Sequence, residues 1–89
     1  MKKYIYFNDK NFCWSPSYKV NKCFIEATIN YLRDLIQHRG YLYLNDIYET
    51  FGATWDPQED NAALIFGKNE PLITCTHLKG ANLRINVEY

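Results

Sequence analysis

Few residues in this 89-residue chain could do chemistry. Cys13, Cys23, Cys75, His38 and His77 are its thiol and imidazole side chains. Cys75 and His77 stand two apart, which on a strand places them on one face. A structural zinc site usually needs two close ligand pairs, and the chain offers one. Three cysteines, an odd number without a CxxC spacing, predict free thiols and a reducing, cytoplasmic setting. No GxSxG elbow or recognised cysteine signature supplies a nucleophile, and no GxxxxGK[ST] or GxGxxG cradles a nucleotide. The adjacent carboxylates Glu59 and Asp60 fall on an expected loop, where solvation is the simpler role. The run Asp56-Pro57-Gln58-Glu59-Asp60 lacks the central glycine of a calcium loop. His38 reads as a cation at a helix end and His77 as a strand residue. The expectation is therefore a non-enzymatic protein with no catalytic residue, no metal and no cofactor.

Binding is the better prospect. Aromatic residues make up 17% of the chain, eight of them tyrosine. Tyr41, Tyr43, Tyr48 and Trp55 cluster in one segment with Asp46 and Glu49, and tyrosine and tryptophan bring large contact area with a polar handle. These six residues form the candidate interaction patch, to be weighed against a plain role at the rim of the core. No Lys, Arg or His occurs between Gly40 and Gly67, so the patch is expected to be acidic and unneutralised. Charge also divides along the chain. Residues 1–45 carry seven Lys/Arg against three Asp/Glu, or +4, and residues 46–89 carry three against seven, or −4. Such segregation predicts a basic side and an acidic side if the fold keeps the halves apart. The net charge of zero argues against direct nucleic-acid binding, which rests on phosphate neutralisation.

The elements that must position these residues read as a single α+β domain over 1–89, in which a main amphipathic helix and a short helix pack on a mostly antiparallel sheet of four or five strands. Lys3–Phe7 is rich in strand formers, Asn8–Asn11 has turn chemistry, and Phe12–Trp14 is the expected return strand of a hairpin. The main helix is expected from Asn21, as N-cap, to Arg39, with Gly40 as its stop. Phe24, Ile25, Thr28, Ile29, Leu32, Leu35 and Ile36 recur at helical spacing as the apolar stripe, which Cys23 begins. Lys22, Glu26, Asn30, Arg33 and Gln37 form the solvated row. In Tyr41–Leu44 the alternation sends Leu42 and Leu44 inward and Tyr41 and Tyr43 outward. Asn45 is the expected cap of a short helix over Asp46–Phe51 that buries Ile47 and Phe51 and ends at Gly52. Ala53–Asn61 reads as loop. Strands at Ala62–Phe66, Leu72–Leu78 and Leu83–Tyr89 complete an antiparallel meander, with Leu83, Ile85 and Val87 inward. No apolar run reaches the roughly 18 residues of a membrane span, and no signal peptide opens the chain.

The segment Gly40-Tyr41-Leu42-Tyr43-Leu44-Asn45-Asp46-Ile47-Tyr48-Glu49-Thr50-Phe51-Gly52, followed by Trp55, resembles a pattern in small uncharacterised proteins of Gram-positive phages, prophages and conjugative elements. There, an apolar strand leads into Leu-Asn-Asp-(Val/Ile)-Tyr, a short helix ending in glycine, and a tryptophan. This chain has Ala53-Thr54-Trp55 where that pattern carries a Gly-Trp pair. The resemblance implies a mobile-element origin in a low-GC bacterium or its phage, and no catalytic residue. The leading expectation is an accessory protein of a phage or mobile element that acts through protein–protein contact. The alternatives are an acidic decoy of a host nucleic-acid-binding or defence protein, and a small enzyme or metal protein. A protein partner is expected, with self-association left open.

Overall fold

A computed structural model describes residues 1–89. The element order is β1 (Lys2–Phe7), α1 (Tyr18–Arg39), β2 (Tyr41–Tyr43), α2 (Leu44–Thr50), β3 (Ala63–Ile65), β4 (Leu72–His77) and β5 (Leu83–Glu88). The strands form two antiparallel sheets: β1-β5-β4 and the ribbon β2-β3. The α+β class is therefore as expected, with five strands and two helices, but the strands do not form one sheet.

A single core joins all seven elements. Helix α1 contributes Ile25, Ile29, Leu32 and Ile36, and Thr28 in the same stripe donates its hydroxyl to Phe24 O at 2.7 Å. Phe24 and Leu35 flank them half-buried, and Phe24 stacks on Phe7 at 5.7 Å. The five residues of the expected solvated row are all exposed. Leu83, Ile85 and Val87 are buried on β5, and Ile5 and Phe7 on β1. Leu42, Leu44, Ile47, Phe51 and Leu64 fill the side closed by the ribbon and α2.

Four local expectations give way to side-chain hydrogen bonds. Phe12–Trp14 is not a return strand. Asn8 Oδ1 accepts from Lys10 N and Asn11 Oδ1 from Cys13 N, while Asn11 N and Trp14 N donate to Asn8 O and Asn11 O. These local bonds use the donors a hairpin would need. Strand β1 pairs instead with β5, Ile5 opposite Ile85.

Helix α1 starts earlier than expected, at Tyr18, capped by Ser17, whose hydroxyl accepts from Val20 N at 3.3 Å. Asn21 is not the cap but a completely buried residue inside the helix. Its Oδ1 accepts from Ser15 N at 2.8 Å, and its Nδ2 donates to Ser15 O at 2.7 Å and Ala81 O at 2.8 Å. Cys23 lies off the apolar stripe and is exposed. Gly40 ends the helix in the left-handed region, φ 84°, as a C′ glycine should.

Helix α2 begins at Leu44 rather than after Asn45. Asp46 Oδ2 accepts from Tyr43 N at 2.9 Å, and Asn61 Oδ1, from the approach to β3, accepts from Asn45 N at 2.9 Å. A residue distant in sequence thus does the capping assigned to Asn45.

The expected meander breaks between β3 and β4. Asn69 Oδ1 accepts from Ile65 N at 2.8 Å and Asn69 Nδ2 donates to Ala63 O at 3.1 Å. This one amide occupies the β3 backbone groups that face away from β2, so β4 cannot add there. Strand β3 pairs with β2, while β4 joins β5. No helix is long and apolar enough to cross a membrane.

Candidate functional site

The connection from α1 to α2 positions the candidate patch. Gly40 turns the chain so that β2 leaves α1 directly, with Leu42 pointing into the core. Tyr41 and Tyr43 then face outward, each 43% exposed, and meet edge to face with ring centroids 5.8 Å apart. Antiparallel pairing sets Tyr41 opposite Ile65 and Tyr43 opposite Ala63, and directly opposed residues share a face. Ala63 is exposed, and Ile65 is 40% exposed. The outer face of the β2–β3 ribbon is thus a continuous apolar and aromatic surface. Ala63 and Ile65 were missed because the ladder partner of β2 was not known from sequence. Alternation around buried Leu64 was the available signal.

Arg39, in the last turn of α1, edges this face. Its guanidinium lies 4.6 Å from the centre of the Tyr41 ring, and its Nη2 stands 3.5 Å from Asp46 Oδ2. The expected unneutralised acidic patch is therefore corrected: a cation from outside the Gly40–Gly67 segment is folded onto it. Asp46 is engaged twice, by Arg39 and by Tyr43 N. Glu49 is exposed and forms no ion pair.

Tyr48 and Trp55 form a second pair. Their rings meet edge to face at 5.0 Å, and both pack half-buried against the core. Burial raises the Tyr48 phenol above its ordinary pKa, with smaller contributions from Glu59 and Tyr89. The six sequence-derived residues thus divide. Tyr41, Tyr43, Asp46 and Glu49 lie on or beside the ribbon and α2 surface. Tyr48 and Trp55 close the core rim near Glu59 and Tyr89.

The predicted separation of a basic and an acidic half does not survive folding. Strand β1, from the basic half, lies beside β5, from the acidic half, and Lys3 Nζ reaches Glu59 Oε1 at 3.7 Å. Two of the three ion pairs, Lys3–Glu59 and Arg39–Asp46, join residues of opposite halves.

The groups with chemical potential are dispersed. No three His, Cys, Asp or Glu side chains converge as a metal-binding group would. His38 Nδ1 lies 3.0 Å from Asp34 O, and His77 Nε2 lies 2.7 Å from Gly80 O. The His77 ring stacks on Tyr18 at 3.9 Å. Burial raises the pKa of the Cys75 thiol; nearby Glu26 adds to this and Lys22 opposes it. A thiol shifted in this direction is a poorer nucleophile at neutral pH. The only buried side-chain polar atom without a partner is the Trp14 indole nitrogen, a donor without acid–base function.

No protein-family model matches the chain, and neither the curated proteins nor the solved structures contain a significant match.

Proposed function

We propose that this chain is a non-catalytic accessory protein that works by protein–protein contact through the outer face of the β2–β3 ribbon. The observation that carries this reading is the exposed apolar face of Tyr41, Tyr43, Ala63 and Ile65, edged by Arg39. Tyrosine recurs at the centres of protein interfaces because it brings rigid contact area with few rotamers to freeze, and arginine because its planar guanidinium stacks on rings and donates several hydrogen bonds. Clustered exposed apolar side chains form a surface that gains by being covered. The dispersed imidazoles and thiols support a binding rather than a catalytic role. The resemblance of Gly40–Trp55 to small phage and mobile-element proteins supports a place among such accessory factors. The acidic-decoy alternative draws less support, because Arg39 and Lys3 are folded in among the carboxylates.

The test is a double substitution, Tyr41→Ser with Ile65→Ser, compared with the parent protein by affinity capture from a host lysate. Both side chains are substantially exposed, so thermal stability should change little. The captured partner should be lost. A partner held equally well by a folded double variant would place the interface elsewhere.

A further inference from the structure

Four strand edges could accept another chain, and three are occupied or charged; at β2, Asp46 Oδ2 already accepts from Tyr43 N. The free edge of β3 is occupied by the Asn69 side chain. Strand β1 carries Lys2 and Lys3, and Lys3 is bound to the loop carboxylate of Glu59. Strand β4 is the remaining edge of the three-stranded sheet. Its six residues, Leu-Ile-Thr-Cys-Thr-His, contain no Lys, Arg, Asp, Glu or proline, and its register with β5 is unbroken by a bulge. Monomeric proteins usually protect such an edge with charge, proline or a bulge.

We propose that β4 pairs antiparallel with β4 of a second copy, joining two three-stranded sheets into one of six strands. The hydrogen bonds of β4 specify the register. Leu78 N donates to Asn82 O, across the continuation of the β4–β5 ladder. Alternation then turns the backbone groups of Thr76 and Thr74 toward β5 and those of His77, Cys75 and Ile73 toward the free edge. A two-fold axis through Cys75 uses all three free residues: Cys75 pairs with Cys75 of the second copy, and Ile73 with its His77. Shifting the axis to Thr74 leaves His77 without a partner in β4.

The same register is self-complementary in its side chains. Leu72 and Leu78 are three residues either side of Cys75, both on the outward face, and are 60% and 39% exposed. Each would lie directly opposite the other's counterpart, in the close non-hydrogen-bonded position where side chains touch best. Glu70 precedes β4 and Lys79 follows it, so an antiparallel pair brings these unlike charges to the same end twice. Lys22 and Glu26, the α1 residues whose charges act on Cys75, carry one charge of each sign and add no net repulsion near the axis. The chain as a whole has zero net charge, so two copies do not repel at long range.

Sedimentation equilibrium over a wide concentration range tests the proposal, with two variants whose changed side chains are exposed in the single chain. The parent protein should show a monomer–dimer equilibrium. Leu72→Lys with Leu78→Lys places like charges opposite each other twice and should weaken the dimer about tenfold or more. Leu72→Glu with Leu78→Lys places unlike charges there and should dimerise markedly better than the double-lysine variant. Circular dichroism establishes that each variant is folded, and an unfolded pair would be replaced by Thr74→Lys with Thr76→Lys, which oppose each other in the same register. A parent protein monomeric at every concentration overturns the proposal, as does a folded double-lysine variant that dimerises like the parent. Equal weakening in the lysine and the mixed variants overturns the register. Dimerisation does not depend on the ribbon face, so partner loss in the Tyr41 and Ile65 double variant with sedimentation unchanged separates the two surfaces.

Discussion

Replacing Asn21 with alanine should be among the most damaging polar substitutions in this protein. The side chain is completely buried and makes three hydrogen bonds, two to the backbone of Ser15 and one to Ala81 O. Each is worth about 0.5–1.5 kcal/mol net, and deletion leaves Ser15 N–H and two carbonyls without their partner in a part-buried site, at further cost. About 3 kcal/mol is the expected loss. For a domain of this size that lowers the melting midpoint by about 12–24 °C. Had Asn21 been a surface N-cap, as its place in the sequence invites, the loss would be about 1 kcal/mol. Ser17→Ala, which removes the actual cap, supplies that comparison in the same urea titration. Hydrogen exchange adds a local readout, because the Asn21–Ala81 bond ties the start of α1 to the β4–β5 turn. Amides of the Lys79–Asn82 turn should exchange faster in Asn21→Ala and unchanged in Ser17→Ala. Equal losses in the two variants, or unaltered exchange at that turn, would refute the reasoning.

Leu32→Ala, at a site 1% exposed, should cost about 2–5 kcal/mol, while exposed Arg33→Ala should stay within about 0.5 kcal/mol, both read by urea unfolding. Three thiols should titrate in denaturant; in the native protein exposed Cys23 should react first and Cys75, half-buried and raised in pKa, slowly. Three equal native rates would contradict the placement of these side chains. The raised Tyr48 pKa means that the folded state holds this proton more tightly than the unfolded chain. Its contribution is complete below the unfolded pKa of about 10 and is lost as pH rises through the folded value. Tyr48→Phe should therefore flatten the alkaline fall in stability, measured by denaturant titration at increasing pH. A slope as steep as that of the parent would count against the assignment.

Much of the local architecture was legible in the sequence because its causes are local. The 3.6-residue spacing from Phe24 to Ile36 identifies the buried face of α1, and Gly40 marks its end, since both depend on neighbours within a turn or two. Alternation sorts Leu42 from Tyr41 and Tyr43, and Leu83, Ile85 and Val87 from their neighbours, for the same reason. The failures have a common physical origin. Asn8, Asn11, Asn21, Asn61 and Asn69 each carry an amide that can take the place of a backbone partner. Whether it bonds its own turn, a distant carbonyl or a strand edge depends on what the fold brings near. Asn21 reads as a cap until Ala81 is beside it. Ala62–Phe66 and Leu72–Leu78 read as neighbours in a meander until Asn69 closes the edge between them.

The candidate site divides along the same line. Sequence alone determined that Tyr41 and Tyr43 share a face, because a strand of period two allows nothing else. It determined the net charge and the scarcity of catalytic groups, which are properties of composition. Only the tertiary structure decided what surrounds that face. It brought Ile65 and Ala63 alongside, laid Arg39 over Tyr41 and against Asp46, and drew Tyr48 and Trp55 away to the core rim. It also interleaved the two oppositely charged halves, because β1 and β5 pair at opposite ends of the chain. Strand pairing and charge contact both act across space between residues far apart in sequence, and no local periodicity encodes which of several compatible partners will meet.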